Sequence, residues 1–510
     1  MSTDQKMVDI EKASSVDGQD LYMGESSEGS QTETKLSFFD SLASVLHAEK
    51  KGIERVTEEE RDPNETVFSS ASMWFSANMV IASMSLGMLG QSIFGISFWQ
   101  SFFVIIFFNI IGLIPVAFFS MFGPEFGLRQ MILSRYLTGV VAMRIFAFIT
   151  AVACVGWGAV NIMVSAQLLN TVNRPHNLPP WAGCLILIIS TIVVSLFGYK
   201  VVHLYEKWAW LPNLFVFLVF IAQIAKSGDF TGGGFPNNGQ ATIAGVLSFG
   251  GTIYGFATGW TTYAADYTVY VRHDYPKWKI FVGLSLGLFT PSVFTQVLGA
   301  ACYSGVYQNE TWMEYYTEHS AGGLMYAMLS VNALGGFGQF CSVLLAMSTV
   351  ANNIPNMYTI SFCLQSFWSP LSKVPRIVWT LVGNFLTLAI CIPAYYHFEE
   401  VMDNFMNLIG YYLAIYEAIS LSEHFIYRRG FKGYDISIWD DKSKLPIGIA
   451  GTIAFCFGVF GAVMGMDQVW YMGEISKRIS GADIGFELSF SFAFVTFNIA
   501  RPLELKYFGR

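Results

Sequence analysis

Three asparagines, Asn352, Asn353 and Asn356, bracket Pro355 inside the long apolar stretch from Ala346 to Tyr358. A primary amide in hydrocarbon is costly unless something hydrogen-bonds it. Pro355 removes a backbone donor and crowds the carbonyl four residues back, that of Ala351. A polar, partly broken helix at membrane depth is expected only where it lines a cavity or packs within protein. Amides donate and accept at once, so this group suits a neutral ligand that carries both kinds of edge.

A second constellation lies in Cys154–Gln167. Trp157 and Asn161 are four residues apart and share one helical face. An indole stacks on a flat heteroaromatic ring, and an amide one turn on reads that ring's edge. Trp260, in the glycine-rich stretch Ser248–Tyr263, would supply the opposite face. The alternatives are ordinary ones: packing or an interfacial belt for each tryptophan, and interhelical hydrogen bonding for Asn161 and Gln167.

Carboxylates are scarce in the apolar stretches. Glu417 is the clearest, and Asp266 lies near an inner helix end. An intramembrane acid is a functional candidate by default. Both are therefore candidates for proton coupling or gating. Asp266 is equally explained as half of a cytosolic salt bridge or gate with an Arg or Lys. Glu417 is expected to hydrogen-bond Tyr411 or Tyr412.

The elements that must hold these residues are membrane helices. Hydrophobic residues make up 53% of the chain, charged residues only 13%, and the mean hydropathy is +0.46, where a soluble domain carries about 25% charge. Twelve apolar windows are expected to span the bilayer, at about 72–95, 97–121, 143–169, 180–198, 208–226, 242–264, 280–304, 323–352, 376–394, 402–424, 446–465 and 483–501. The eighth is expected to run on, broken, past Pro355. With the N-terminus in the cytosol, the inner loops and C-tail carry 18 Lys and Arg and the outer loops four, as the positive-inside rule requires. Asn309-Glu-Thr311 then faces out, where its sequon is open to glycosylation, and Asn64-Glu-Thr66 stays inside.

The first and sixth windows each contain glycines and small polar residues near the middle, and each opens a set of five spans of opposite orientation. Unwound helices at corresponding places in two inverted halves point to a transporter binding site. Gly87, Gly90, Gly255 and Gly259 would permit such breaks; close helix packing by small residues is the competing explanation.

The chain therefore reads as an all-α polytopic membrane protein. Residues 1–70 form a disordered cytosolic tail, 71–264 the first six spans, 265–425 spans seven to ten, 446–501 the last two, and 502–510 a cytosolic C-tail. The tail is polar and low in aromatics. Its functional reading is trafficking control, with Lys6, Lys12 and Lys35 as modification sites for factors such as ubiquitin ligases. Leu36–Arg61 is expected to form a short amphipathic surface helix, with Glu58–Glu60 solvated. The seven cysteines are scattered, without metal spacing, and read as free and buried. The seven histidines form no ligand pattern, and no P-loop or HExxH occurs. An enzyme is excluded on that ground, no cofactor is implied, and no nucleic-acid partner is expected. A non-transporting receptor stays open; a channel fits poorly, because the site suits one occluded ligand.

The stretches Ala71–Ser83, Gly127–Leu137, Ala153–Asn161, Gly259–Tyr270, Ala351–Tyr358 and Arg501–Arg510 resemble the fungal purine-cytosine permeases of the nucleobase:cation symporter-1 family. The similarity covers almost everything after residue 35. It implies a five-plus-five inverted-repeat core with helices eleven and twelve peripheral. It also implies proton-coupled uptake of cytosine, adenine, guanine and hypoxanthine across the plasma membrane. By family pattern the substrate site comprises Ser83, Trp157, Asn161, Trp260, Asn352 and Asn353, with Pro355 shaping the backbone. Gln167, Gly259 and Asn356 are secondary candidates. Ser83 rests mainly on the resemblance, since Ser85 is its equal in local chemistry. Sodium-coupled relatives place hydroxyls of the eighth span near a backbone site on the first, the region of Ser348 and Thr349. The sister branch for allantoin, uracil, thiamine or nicotinamide riboside is the alternative transporter reading.

Overall fold

The computed structural model describes residues 52–61, 63, 66–172, 178–196 and 207–510. Lys6, Lys12, Lys35, most of Leu36–Arg61, Asn64, Arg174 and Lys200 lie outside them. Among the described residues six helical stretches are long and apolar enough to cross a membrane. A seventh is the pair Val67–Asn78 and Ile81–Ser92, bent by 54°. Apart from a two-stranded ribbon pairing Asp467–Gln468 with Tyr471–Met472, the described regular structure is helical. Large apolar side chains such as Phe103, Phe107, Phe148, Val152 and Phe385 point outward. A water-soluble surface does not carry so extensive an apolar girdle, and a lipid-facing one does.

The spans are named here by their order. The first is the bent pair; the second is Phe98–Ser120. The third is Val140–Val172, the fourth Pro180–Leu196 and the fifth Trp210–Ser227. The sixth is Gln240–Thr258, continued by a tight turn of helix over Thr261–Tyr267. The seventh is Lys277–Ser304, the ninth Arg376–Ala394 and the tenth Phe398–Ser422. The eleventh is Ile449–Gly465 and the twelfth Gly485–Phe508.

Packing follows a pattern in which each span of the first five has a counterpart five places on. The first span packs on the seventh, and the sixth on the second; the third packs on the ninth, and the eighth on the fourth. The third and eighth also pack on each other, as do the second and seventh. Exchanging the two sets of five leaves this contact scheme unchanged, which is what two inverted repeats interlocked about one axis produce. The eleventh and twelfth spans pair with each other and lean on the tenth.

Two expectations are corrected. The eighth span does not occupy 323–352. A separate helix, Glu310–Leu329, ends before Asn332 and Gly335, which adopt φ of +54° and +56°. The span then runs over Gly336–Ala346 and Ser348–Phe367. Pro355 sits inside the second of these without breaking it, since a membrane helix tolerates proline where neighbours satisfy the freed groups. The glycines, too, act differently from the expectation. The first span breaks at Met79 (φ −86°, ψ 59°) and Val80 (φ −133°, ψ 163°), neither of which is glycine. Gly87 lies in regular helix, where a Cβ would stand 1.8 Å from the Gln296 carbonyl oxygen of the seventh span. At Gly255 a Cβ would stand 1.9 Å from the Met406 carbonyl oxygen of the tenth. Close packing is their role; of the four, only Gly259 lies at a helix break.

The described part of the segment leading into the first span is tied to the rest of the protein and is helical only over one turn. Val56 N donates to Gly127 O at 2.8 Å, and Arg61 Nη1 to Pro124 O at 2.5 Å and Val271 O at 2.9 Å. Glu58–Glu60 is one exposed turn, as expected. Asn309, whose sequon is expected to face out, accepts from Trp312 N and donates to Asp229 Oδ2 at 3.0 Å, so the sequon amide is engaged within the protein. All seven cysteines are free, and Cys456 alone is exposed.

Gly87→Ala and Gly255→Ala are each expected to abolish folded, surface-exposed protein, because the clash is with a neighbouring backbone that cannot rotate away. Surface labelling together with size-exclusion profiles of the detergent-solubilised variants checks this. A monodisperse wild-type-like profile from either would contradict it.

Candidate functional site

The break at Met79–Val80 leaves backbone groups without helical partners deep inside the protein. A helix ending there presents unpaired carbonyls, and the next one starting presents unpaired N–H groups. The eighth span supplies one side chain of each polarity, one turn apart. Asn352 Nδ2 donates to the Ala77 carbonyl in the last turn before the break. Ser348 Oγ accepts from Ile81 N, the first residue of the helix after it, at 3.2 Å. Positions four apart share a helical face, so Ser348 and Asn352 clip both loose ends at once.

The remaining amides gather on the same face. Asn161 of the third span donates from Nδ2 to Asn352 Oδ1 at 2.6 Å and to Asn353 Oδ1 at 3.1 Å. Thr349 Oγ1 donates to the Asn161 carbonyl at 3.1 Å and also bonds Ser165. Asn356 Nδ2 donates to Asn352 O at 3.1 Å, and its Oδ1 accepts from Tyr263 Oη at 3.3 Å. Asn353 is fully buried, yet among the described residues its Nδ2 has no partner; Ser83, also fully buried, has none among them for its Oγ. An unpaired buried polar group costs about 1–3 kcal/mol, so a ligand that met these two atoms would gain by it. Ser85 does not compete, because its hydroxyl returns to the Ile81 carbonyl at 3.1 Å.

Aromatic walls flank the amides. Trp157 packs edge-on against Phe256 and Phe405, with centroids 5.8 and 5.4 Å away. Its indole lies so close to Gly259 that a Cβ there would stand 2.6 Å from Trp157 Cζ2. Glycine is thus required where the third span meets the break in the sixth. Trp260, the next residue, meets Trp74 at 4.7 Å and Tyr263 at 5.6 Å, both edge-to-face. Trp74 was not singled out by its sequence context, yet it is fully buried with its Nε1 unpaired.

The other candidates are placed apart from this cluster. Gln167 Nε2 donates to Tyr395 O at 3.2 Å, near the outer end of the ninth span. Asp266 is tied to the start of the short helix Gln130–Leu137: its Oδ1 accepts from Gln130 N at 2.7 Å and its carbonyl from Arg129 Nη1 at 3.1 Å. The Arg129 guanidinium lies 4.2 Å over the Phe362 ring, and Arg376 lies 3.7 Å over Tyr358. Tyr267 Oη donates to the Pro355 carbonyl at 3.3 Å. Glu417 does not bond Tyr411 or Tyr412. Its Oε2 accepts from Tyr254 Oη at 2.7 Å, and its Oε1 from Thr258 Oγ1 and, at 3.3 Å, from Thr261 Oγ1. Tyr411 instead bonds Asp483. The spacing of Tyr254, Thr258 and Thr261 sets three hydroxyls on one face of the sixth span, a signal that was readable in the sequence.

A family profile described as permease for cytosine/purines, uracil, thiamine, allantoin matches residues 55–473. The chain is 58% identical over 494 residues to the Saccharomyces cerevisiae purine-cytosine permease FCY2, covering 96% of this chain and 91% of that one. It is 46% identical over 471 residues to the Emericella nidulans purine-cytosine permease fcyB, covering 92% and 91%. In fold it is similar to Mhp1, a nucleobase-cation-symport-1 family transporter solved in a closed conformation with bromovinylhydantoin bound. The TM-score is 0.67 at 14% identity, over 90% of this chain and 96% of that one.

Ser348→Ala leaves Ile81 N–H without its acceptor, at about 1–3 kcal/mol. Maximal transport rate is expected to fall roughly tenfold, with Ser348→Thr restoring it. Initial-rate uptake normalised to surface protein checks this; full activity in the alanine variant would show that the clip is dispensable.

Proposed function

We propose that this chain, which belongs to the family of permeases for cytosine/purines, uracil, thiamine and allantoin, is a proton-coupled symporter. It imports cytosine and the purine bases adenine, guanine and hypoxanthine by alternating access. The observation that carries this reading is the near full-length identity to relatives named purine-cytosine permeases. The site chemistry agrees with it. Buried amides offer both hydrogen-bond polarities and no net charge, and indoles stand beside them, as a flat neutral base requires.

In this reading the base lies against Trp157 and Trp260. Asn161, Asn352 and Asn353 meet its edge, Ser83 adds a hydroxyl, and Pro355 and Asn356 hold the amide-bearing helix in shape. Gly259 lets Trp157 approach the sixth span. Asn352 has a double duty, since its Nδ2 already holds the first span. Asp266 acts as part of the inner gate rather than as a proton carrier, because both its carboxylate and its carbonyl are tied to the loop before the third span. Gln167 serves the outer closure. The permease acts at the plasma membrane with both termini cytosolic, a placement supported by the 18-to-four bias of basic residues. The domain division is the one read from the sequence, with the first repeat in spans one to five and the second in six to ten. The N-terminal tail serves trafficking factors.

Radiolabelled cytosine and adenine uptake in cells without their own base permeases tests the reading. Saturable uptake that a protonophore abolishes is expected, with Asn161→Ala and Asn352→Ala each reducing it at least tenfold. Uracil presents a carbonyl and N–H where cytosine presents an amine and a bare nitrogen. It should therefore compete at least about a hundredfold more weakly, because a mismatched edge leaves buried amides unpaired. Absence of uptake despite surface expression would overturn the transporter reading. Uracil matching cytosine would overturn the amide-readout argument.

A further inference from the structure

The two broken spans are held in different ways. The first is clipped by Ser348 and Asn352, which carry no titratable group. The sixth is held by Glu417 of the tenth span, buried at 3% exposure, through Thr258 and Thr261. Those two threonines bracket Gly259 and Trp260, the segment that touches Trp157. Among the described residues no Lys, Arg or His pairs with Glu417. Its only hydrogen-bond partners are three hydroxyls, two of them on either side of the break.

We infer that Glu417 is the group on which the coupling proton acts, and that it acts by holding or releasing the sixth-span break that carries Trp260. This rests on the symporter reading above. Ionised, the carboxylate offers only acceptors, and its two oxygens take the hydroxyl hydrogens of Tyr254, Thr258 and Thr261. Neutral, one oxygen becomes a donor and needs an acceptor of its own, so the hydroxyls around it re-order to accept from it or to bond elsewhere. The break is built for that exchange. Thr261 Oγ1 has a second acceptor in the Thr258 carbonyl at 2.7 Å, and the two threonine hydroxyls lie 2.9 Å apart. The proton is added to a carboxylate oxygen from the outer side and leaves the same group to the cytosol, with no other bond made or broken. Each transfer re-sets the Thr258–Thr261 segment, and with it the position of Gly259 and Trp260 against the third span.

The surroundings leave the assignment to this acid. Of the elements packed on the tenth span, the helix Ile81–Ser92 carries no titratable side chain. The sixth contributes Tyr254, already bonded to Glu417, and the third contributes Cys154 and an exposed Arg144. The eleventh carries only the exposed Cys456. The twelfth contributes Glu487 near the outer end, while its Arg501 is held by Glu423 at 2.8 Å and its Glu504 by backbone N–H groups at the start of the eleventh. From the inner side, Arg135 of the short helix Gln130–Leu137 pairs with Asp440. Asp403, earlier on the tenth span, ties the same two spans through Thr252 at 2.7 Å, but Thr252 lies six residues before Thr258, away from the break.

The test uses the full-length permease in cells and in proteoliposomes. For Glu417→Gln, the expected results are cytosine counterflow within about threefold of wild type, an accumulation ratio falling to one, and a flat pH profile of uptake. Tyr254→Phe and Thr258→Val keep the acid and remove a donor; each should keep accumulation and shift the pH profile by at least half a unit. They decide the matter if Glu417→Gln fails to reach the surface. Wild-type accumulation and pH dependence in Glu417→Gln, or unshifted profiles in both donor variants, would overturn the inference. The two failures are distinguishable. A wild-type protein that takes up no base, or takes it up regardless of protonophore, defeats the symporter reading itself. A protonophore-sensitive wild type matched by Glu417→Gln defeats only the role of this acid.

Discussion

A helix interrupted inside a membrane protein must have its loose carbonyls and N–H groups bonded by something, because neither lipid nor packed apolar side chains will solvate them. That constraint organises this molecule. The first span ends and restarts at Met79–Val80, and the groups thus freed are met by an amide and a hydroxyl from the eighth span and by Asn213 of the fifth, which donates to the Met79 carbonyl at 2.9 Å. Because Ser348 and Asn352 must reach both sides of one break, the eighth span has to lie against it at a fixed register. Asn161 and Asn353 are then drawn to the same face, since Asn352 Oδ1 also needs a donor. The buried amides thus lie where backbone chemistry had already required polar groups. Among the described residues Asn353 Nδ2, Ser83 Oγ and Trp74 Nε1 stay without a hydrogen-bond partner there.

Much of this was legible in the sequence. The three asparagines around Pro355 in an apolar run had few tolerable explanations, and Trp157 and Asn161 share a face by spacing alone. Hydropathy found the helices because a span is a long uninterrupted signal. The finer features were misread for identifiable reasons. Glycine was taken to mark the breaks because it permits unusual backbone, but Met79 and Val80 stay within dihedrals open to any residue, so the break needed no special residue. Gly87 and Gly255 serve contact with carbonyls of the seventh and tenth spans, which no single helix's sequence records. The eighth span was shifted because an apolar window cannot distinguish two helices separated by Asn332 and Gly335 from one. Pro355 marks a helix break by its chemistry alone, yet the helix Ser348–Phe367 runs through it.

The acids illustrate the same limit from the other side. Sequence singled out Asp266 and Glu417 by scarcity but could not separate them. Tertiary contacts do. Asp266 is bound to Gln130 N and to Arg129, whose guanidinium also lies over Phe362. Glu417 is bound only to hydroxyls. Its partners were sought among tyrosines on its own helix, where Tyr411 and Tyr412 are nearest in sequence. The true partner, Tyr254, lies on the sixth span, four and seven residues before the two threonines at the break.

The repeats make this difference meaningful. Two inverted halves with matching contact schemes would present the substrate with two equivalent broken spans, and a carrier so built has no reason to distinguish outside from inside. Here the break in the first half is held by neutral groups and the break in the second by a carboxylic acid. A neutral clip holds equally at every pH, whereas a carboxyl group changes from acceptor to donor when it takes a proton. Under the symporter reading proposed above, an acid at one break would give a proton a hold on the segment of Gly259 and Trp260, and the amides of the third and eighth spans, which do not titrate, would present the same hydrogen-bonding edge at every pH.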